Sequence, residues 1–261
     1  MNKSFSRIMG LAGIGATLLL IVAGAGPSLA QESGAKDAMY SYIALWAVPR
    51  AKWADFAKSS ASTDKIFEQG LADGTLVAYG SDYNLVHEAD GYTHDGWWSS
   101  HSMAGLMKVL DSLEQSSMSA TGPLTAATKH ADEILVSRHY NAKPGTYKGA
   151  YTHGSSFKLK PDAPDDAVDI MSKSMFDPVF EKLLADGTIV EYEVDEEAVH
   201  TQAPDSFWIY YVTPSADGLD KVTAAIGQAL KASPMIGPAF NSYIDFTPHR
   251  DYLARTTAVF K

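Results

Sequence analysis

Residues 66–88 read IFEQGLADGTLVAYGSDYNLVHE, and residues 179–201 read VFEKLLADGTIVEYEVDEEAVHT. Set one over the other without a gap, at an offset of 113 residues, they share Phe67, Glu68, Leu71, Ala72, Asp73, Gly74, Thr75, Val77, Tyr79, Asp82, Val86 and His87 with Phe180, Glu181, Leu184, Ala185, Asp186, Gly187, Thr188, Val190, Tyr192, Asp195, Val199 and His200. So many identities at one spacing point to a duplicated unit. Each copy reads as the last turns of a helix, a glycine that closes it, and a strand. Gly74 and Gly187 stand just past the helix, where a left-handed residue satisfies the last carbonyls and glycine does so without a steric penalty. Apolar residues then recur at every second position, which predicts a half-buried strand with Thr75, Val77 and Tyr79 on one face, and Thr188, Val190 and Tyr192 on one face of its counterpart.

Working outward, the chain repeats one order of elements. Strands are predicted at Met39–Val48, Thr75–His87, Gly96–Ser100 and Glu133–Tyr140, with helices over Arg50–Gln69 and Met103–Gln115. The Ser59–Thr63 hydroxyl run is expected to break the first helix, since those side chains compete for backbone hydrogen bonds. The second copy gives strands at 150–159, 188–200, 207–213 and 252–260, with helices at 164–185 and 219–232. His130-Ala131-Asp132 aligns with His249-Arg250-Asp251 at an offset of 119, so the second copy carries six extra residues, placed in SPMIGPAF. Asn141–Gly149, with its Pro-Gly turn, reads as a linker between a first repeat at 39–140 and a second at 150–261.

The start of the chain is of another kind. Lys3 and Arg7 precede an apolar run over Ile8–Ala25, and Ser28-Leu29-Ala30 offers small residues where a signal peptidase cuts. A signal peptide over 1–30, cleaved before Gln31, is therefore expected, followed by a loose leader at 31–38 and a periplasmic or secreted destination. The formal net charge of −10 becomes −12 without Lys3 and Arg7, and no basic run follows. Such a surface repels phosphate backbones, which excludes a nucleic-acid partner. With no cysteine, thiolate catalysis, zinc–cysteine sites and iron–sulfur clusters are excluded too. No later stretch is apolar and long enough to cross a bilayer, so no membrane partner is expected after signal removal.

The predicted class is α+β: two tandem ferredoxin-like β-α-β-β-α-β repeats, each a four-stranded sheet with helices on one face, whose bare faces cover each other. On the two Ala-Asp-Gly-Thr-(Leu/Ile)-Val hinges and the tyrosine strands after them, the chain over 39–260 resembles the dimeric α+β barrel superfamily in a fused form. That resemblance implies an intrachain α+β barrel, with ligands between sheet and helices of a copy or in the central barrel. It implies activities ranging over monooxygenases, isomerases and haem-degrading or haem-binding enzymes, and it brings no catalytic signature with it.

Among individual residues, His87 and His200 are the candidate catalytic groups, because both copies keep them at the end of the tyrosine strand. His94 and His101 stand nearby, but along one strand they would lie about 20 Å apart, so no metal is expected there. Gly70-Leu71-Ala72-Asp73-Gly74 spells the GxxDG of dye-decolourising peroxidases, yet Leu183 replaces the first glycine in the second copy and the helix end accounts for the segment. Trp46, Trp97, Trp98, Tyr79, Tyr192, Tyr210 and Tyr211 are the candidate ligand-binding residues; Trp97-Trp98 aligns with Tyr210-Tyr211, so one ring of each pair faces the helices and the other faces inward. Glu191, Glu193, Asp195, Glu196 and Glu197 read as a solvated face, and their absence from the first copy points to an open cleft there alone. The expected function is binding of a small apolar or aromatic molecule by a monomer or homodimer, with cofactor-free oxygenase or isomerase chemistry. The alternatives are a non-catalytic assembly protein with a filled barrel, and a haem-binding protein.

Overall fold

The computed structural model describes residues 36–89, 91–116, 123–233 and 236–261. The predicted signal segment and the cut before Gln31 lie outside the described residues. The eight strands are β1 (Met39–Ala47), β2 (Ala78–Asn84), β3 (His94–Ser100), β4 (Lys129–Ala142), β5 (Gly145–Leu159), β6 (Glu191–Val199), β7 (Ser206–Thr213) and β8 (Ile244–Phe260). The helices are α1 (Trp53–Asp73), α2 (Met103–Gln115), α3 (Ala167–Met171), α4 (Asp177–Asp186), α5 (Ala216–Ala232) and α6 (Ile236–Tyr243), with a π turn over Ser172–Phe176 joining α3 to α4. The strands close into an antiparallel barrel in the order β1-β3-β2-β8-β5-β7-β6-β4, with β4 returning to β1. The chain is thus α+β around one eight-stranded barrel, and closure leaves no open sheet edge.

The two ADGT hinges have the same geometry. Gly74 and Gly187 sit at φ 78° and 82° and return their N–H groups to the carbonyls of Leu71 and Leu184. Asp73 and Asp186 each accept from the backbone N–H two residues on, at 2.9 Å. The Thr75 and Thr188 carbonyls each accept a 2.7 Å hydrogen bond, from the hydroxyls of Ser100 and Thr213. The helix end, the turn and the next strand are thereby tied together at the same point in both halves.

Several sequence expectations are corrected. The hinge bends before the strand begins, so alternation starts late. Ile189 and Tyr192 pack against helices, whereas Val190 packs inside the barrel, and Val190 and Tyr192 do not share a face. Strand β2 ends at Asn84 rather than at His87. Residues 141–149 are not a loose linker: β4 runs to Ala142 and β5 starts at Gly145, paired with Phe260, leaving Lys143 and Pro144 as the turn. Helix α1 continues through Ser59–Thr63. The acidic strand is not a solvated face, because the inward positions of β6 are Glu191, Glu193 and Asp195, and Asp195 is fully buried.

Three cores follow from this arrangement. Ala78, Ala150, Val190, Val212, Ala258 and Phe260 fill one end of the barrel. Outside it, α1 and α2 cover the first four strands over Tyr42, Phe67, Leu76, Trp98, Leu106 and Val109. The second half is packed more heavily, with Met171, Met175, Phe176, Phe180, Leu183, Leu184, Phe207 and Ile209 all buried. Each large side chain removed from water in this way contributes about 1.5–3 kcal/mol. The insertion around residue 236 forms α6, whose Phe240 meets Phe157 and Phe176 edge-on at 6.0 and 5.7 Å. That helix closes the second half; between α2 and β4 the first half has a 3-10 turn over Pro123–Ala126.

Candidate functional site

Between α1, α2 and the outer face of β1, β3 and β2 lies a cleft of about 780 Å3. Its floor carries Tyr42, Ala44, Trp46, Tyr79 and Trp98, and its roof Phe56, Phe67, Leu71, Leu110 and Leu113. Period two explains the floor, since Tyr42, Ala44 and Trp46 alternate outward along β1, opposite Ile134, Asp132 and His130 of β4. Tyr42 stacks on Trp98, and Trp46 stacks on His130 with ring centroids 5.4 Å apart and planes 5° from parallel. The walls are apolar, with a few polar groups brought together, as in small-molecule sites.

Those polar groups form a chain. The Tyr42 hydroxyl interacts with the Asp132 carboxylate, whose Oδ1 pairs with His130 Nε2 at 3.2 Å. Burial, reinforced by Asp132, pushes the Tyr42 hydroxyl far above its usual range, so it stays protonated and donates. On the opposite wall, Asp64 and Glu68 project from successive turns of α1. Burial and the Glu68 charge raise the Asp64 carboxyl, while Lys148 of β5 partly offsets them.

The second half repeats the framework of stacked histidines. His153 stacks on Tyr211 at 5.1 Å, His249 stacks on Phe157 at 4.5 Å, and His249 pairs with Asp251 at 3.4 Å. Phe240 of α6 packs against Phe157 and Phe176 beside this framework, and a cavity of about 300 Å3 opens between α3, β5 and β7, lined by Leu159, Val168, His200 and Phe207 among others.

The predicted site residues therefore divide. Trp46, Tyr79 and Trp98 line the cleft. Trp97 and Tyr210 point into the barrel, where a second cavity of about 340 Å3 opens toward the end opposite the apolar plug. A barrel filled throughout with side chains is thus corrected. Tyr192 and Tyr211 are buried in the second helix-side core, so they reach no open space there. His87 is exposed beyond the end of β2 against Trp53. His200 is exposed beyond β6, at a polar cavity of about 300 Å3 that Glu197 also lines. Neither lies in the cleft. His94 is buried among Trp53, Phe56 and Tyr83, and burial pushes its pKa down to about 4. Sequence reasoning missed Tyr42, His130 and Asp132, although the His-x-Asp spacing was visible in both copies and places both side chains on one face of a strand.

Haem does not suit the cleft. Its one imidazole, His130, is stacked face-on against Trp46 with Nε2 paired to Asp132. The polar wall of Asp64, Glu68, Glu114 and Asp132 would also repel two propionates. Among the described residues, no three His, Asp or Glu groups converge as the ligands of a metal ion would.

No family model matches the chain, and no curated protein matches it in sequence. Solved structures do match in fold. A candidate monooxygenase from Lactobacillus acidophilus NCFM superposes with a TM-score of 0.63 at 9% identity, over 86% of this chain and 97% of its own. A candidate monooxygenase from Fusobacterium nucleatum gives 0.62 at 8% identity, over 86% and 94%. An anthrone oxidase-like protein gives 0.50 at 10% identity, over 85% and 92%. At these identities the likeness establishes the ferredoxin-like α+β barrel fold.

Proposed function

We propose that this chain is an exported α+β barrel protein, produced by tandem duplication, whose first repeat binds a flat, apolar or aromatic small molecule and acts on it without a cofactor. The observation that carries this reading is the 780 Å3 cleft with Tyr42, Asp132 and His130 brought together on its floor, set against a more heavily packed second half. Trp46, Trp98, Phe67 and Tyr79 offer ring faces for an aromatic ligand. The Asp132–His130 pair is placed to take a proton from an acidic O–H or C–H of that ligand, and the protonated Tyr42 hydroxyl to turn from Asp132 and donate to the oxygen on which charge develops. Such an anion, returned its proton at another carbon, is isomerised; with dioxygen it is oxidised. The monooxygenase and oxidase names of the fold neighbours support the second outcome.

The test is to offer purified protein a panel of hydroxylated polycyclic aromatics, after treatment with a chelator, and follow tryptophan fluorescence, melting temperature and oxygen uptake. Saturable quenching with a rise in melting temperature supports binding. Oxygen uptake lost in Tyr42→Phe and Asp132→Asn supports the chemistry. A panel that leaves fluorescence and melting temperature unchanged contradicts the reading.

A further inference from the structure

The barrel interior holds a second set of groups that the cleft does not use. Asp82, Asp95, Glu133 and Glu193 line the 340 Å3 lumen together with Trp97, Trp208, Tyr210 and Tyr252. Asp82 accepts from the Trp97 indole at 3.3 Å and from the Thr152 hydroxyl at 3.2 Å, and Glu133 accepts from Gln202 at 2.8 Å. Asp195, two residues on from Glu193 and on the same inward face, is fully buried, and neither of its carboxylate oxygens has a hydrogen-bond partner. The nearby Ser137 hydroxyl donates instead to the carbonyls of Val194 and His139.

Room for the rings is made by glycine. A β-carbon at Gly80 would collide with the Trp97 ring, and one at Gly154 with both Tyr252 and Tyr210. The sequence therefore keeps two inward positions empty so that aromatic faces lie across the lumen beside the carboxyls. Carboxylates supply hydrogen-bond acceptors and negative charge, and aromatic faces attract a cation. A carboxyl facing a closed lumen stays protonated unless it gains a partner, and an N–H donor of positive charge supplies one to its ionised form.

We propose that the barrel lumen is a second binding site, separate from the cleft, that takes a small primary alkylammonium ion, its N–H donors on Glu193 and Asp82, which line the lumen, and its alkyl chain between Trp97, Trp208, Tyr210 and Tyr252. The lumen has space for a chain of a few carbons, and the scattered acids do not converge on one point as metal ligands do. The rim carries Arg250 and Lys129 as well as Glu88 and Asp251, so charge selection is set inside rather than at the mouth. Burial keeps Glu193 up at about 7 and raises Asp82, Asp95, Glu133, Glu191 and Asp195 as well. Entry of the cation therefore displaces protons from these carboxyls, and binding strengthens as pH rises until the amine itself loses its charge.

The experiment is calorimetric titration of the full chain with 1,4-diaminobutane in two buffers of different ionisation heat, with tetramethylammonium chloride and sodium chloride at matched ionic strength. The expected result is saturable binding of the diamine with proton release, and weak or no binding of tetramethylammonium, which has no N–H to give. Glu193→Gln and Asp82→Asn, each checked for fold by circular dichroism, should each weaken the diamine about tenfold or more. Absence of saturable diamine binding, equal binding of tetramethylammonium, or undiminished binding in both variants would overturn the proposal. Because the cleft variant Tyr42→Phe reports on aromatic ligands alone, failure here leaves the cleft reading to its own test.

Discussion

Tyr42 and Trp98 lie ring on ring, centroids 4.4 Å apart and 10° from parallel. The stack joins adjacent strands β1 and β3, where Tyr42 and Trp98 are direct cross-strand partners. It fixes the tyrosine ring, and with it the direction from which the hydroxyl meets Asp132. Packing against one neighbour thus positions the polar atom for another.

Trp98 and Trp46 both line the cleft but should fail differently when removed. Trp98 is 3% exposed and belongs to the first helix-side core, so Trp98→Ala should cost about 3–5 kcal/mol and release Tyr42 as well. Trp46 is only partly buried. Trp46→Ala should cost less, yet remove a wall of the cleft. Denaturant unfolding and fluorescence titration on the two variants separate these effects.

The three histidines offer a second comparison. His130 stands in the cleft, whereas His87 and His200 are exposed outside it. His130→Ala should reduce uptake of an aromatic ligand by several fold, and His87→Ala and His200→Ala should leave it within error. A larger loss in His87→Ala than in His130→Ala, measured by the same titration, would move the site to the end of β2.

The buried acids of β6 set a pH dependence. Burial first, then the neighbouring Glu193, raises Asp195 well above the usual carboxylate range. The unfolded chain ionises near the ordinary value of 3.8 while the folded one keeps its proton. Stability is therefore greatest in acid and falls as pH rises from that ordinary value toward the raised one. Asp195→Asn should raise the melting temperature at neutral pH and flatten that fall, in thermal scans across pH in the absence of amines.

His139 adds a separate slope. It sits between Asp177 at 2.8 Å and Asp169 at 3.0 Å, tying β4 to α3 and α4. The bond to Asp177 leads in raising its pKa above 6.5. The contribution of the charged ring is complete below 6.5 and is lost as pH rises through the raised value. His139→Gln should lower stability at acidic pH and make little difference at alkaline pH.

The barrel and its hinges were legible because glycine turns and period-two alternation are local signals, and the ADGT stretch carries both. The inward course of Glu191, Glu193 and Asp195 was not, because a strand of acids looks the same whether water or a closed barrel lies beyond it. Only the late start of alternation after the hinge decides which face they take. Tyr42 was hidden for another reason: its partners Asp132 and Trp98 come from β4 and β3, and their meeting depends on strand order rather than on spacing along the chain. The insertion that became α6 was counted from sequence, but its part in packing the second half required seeing Phe240 against Phe157 and Phe176.

The central claim is that the first-half cleft takes an aromatic ligand held at Tyr42 and Asp132. Its most direct test is the dissociation constant of a hydroxylated polycyclic aromatic for the parent chain and for Tyr42→Phe, read by tryptophan quenching. Loss of the hydroxyl that donates to the ligand predicts a weakening of about tenfold or more, with circular dichroism showing the fold retained. Equal affinity in the two proteins, or no saturable quenching in either, would contradict it.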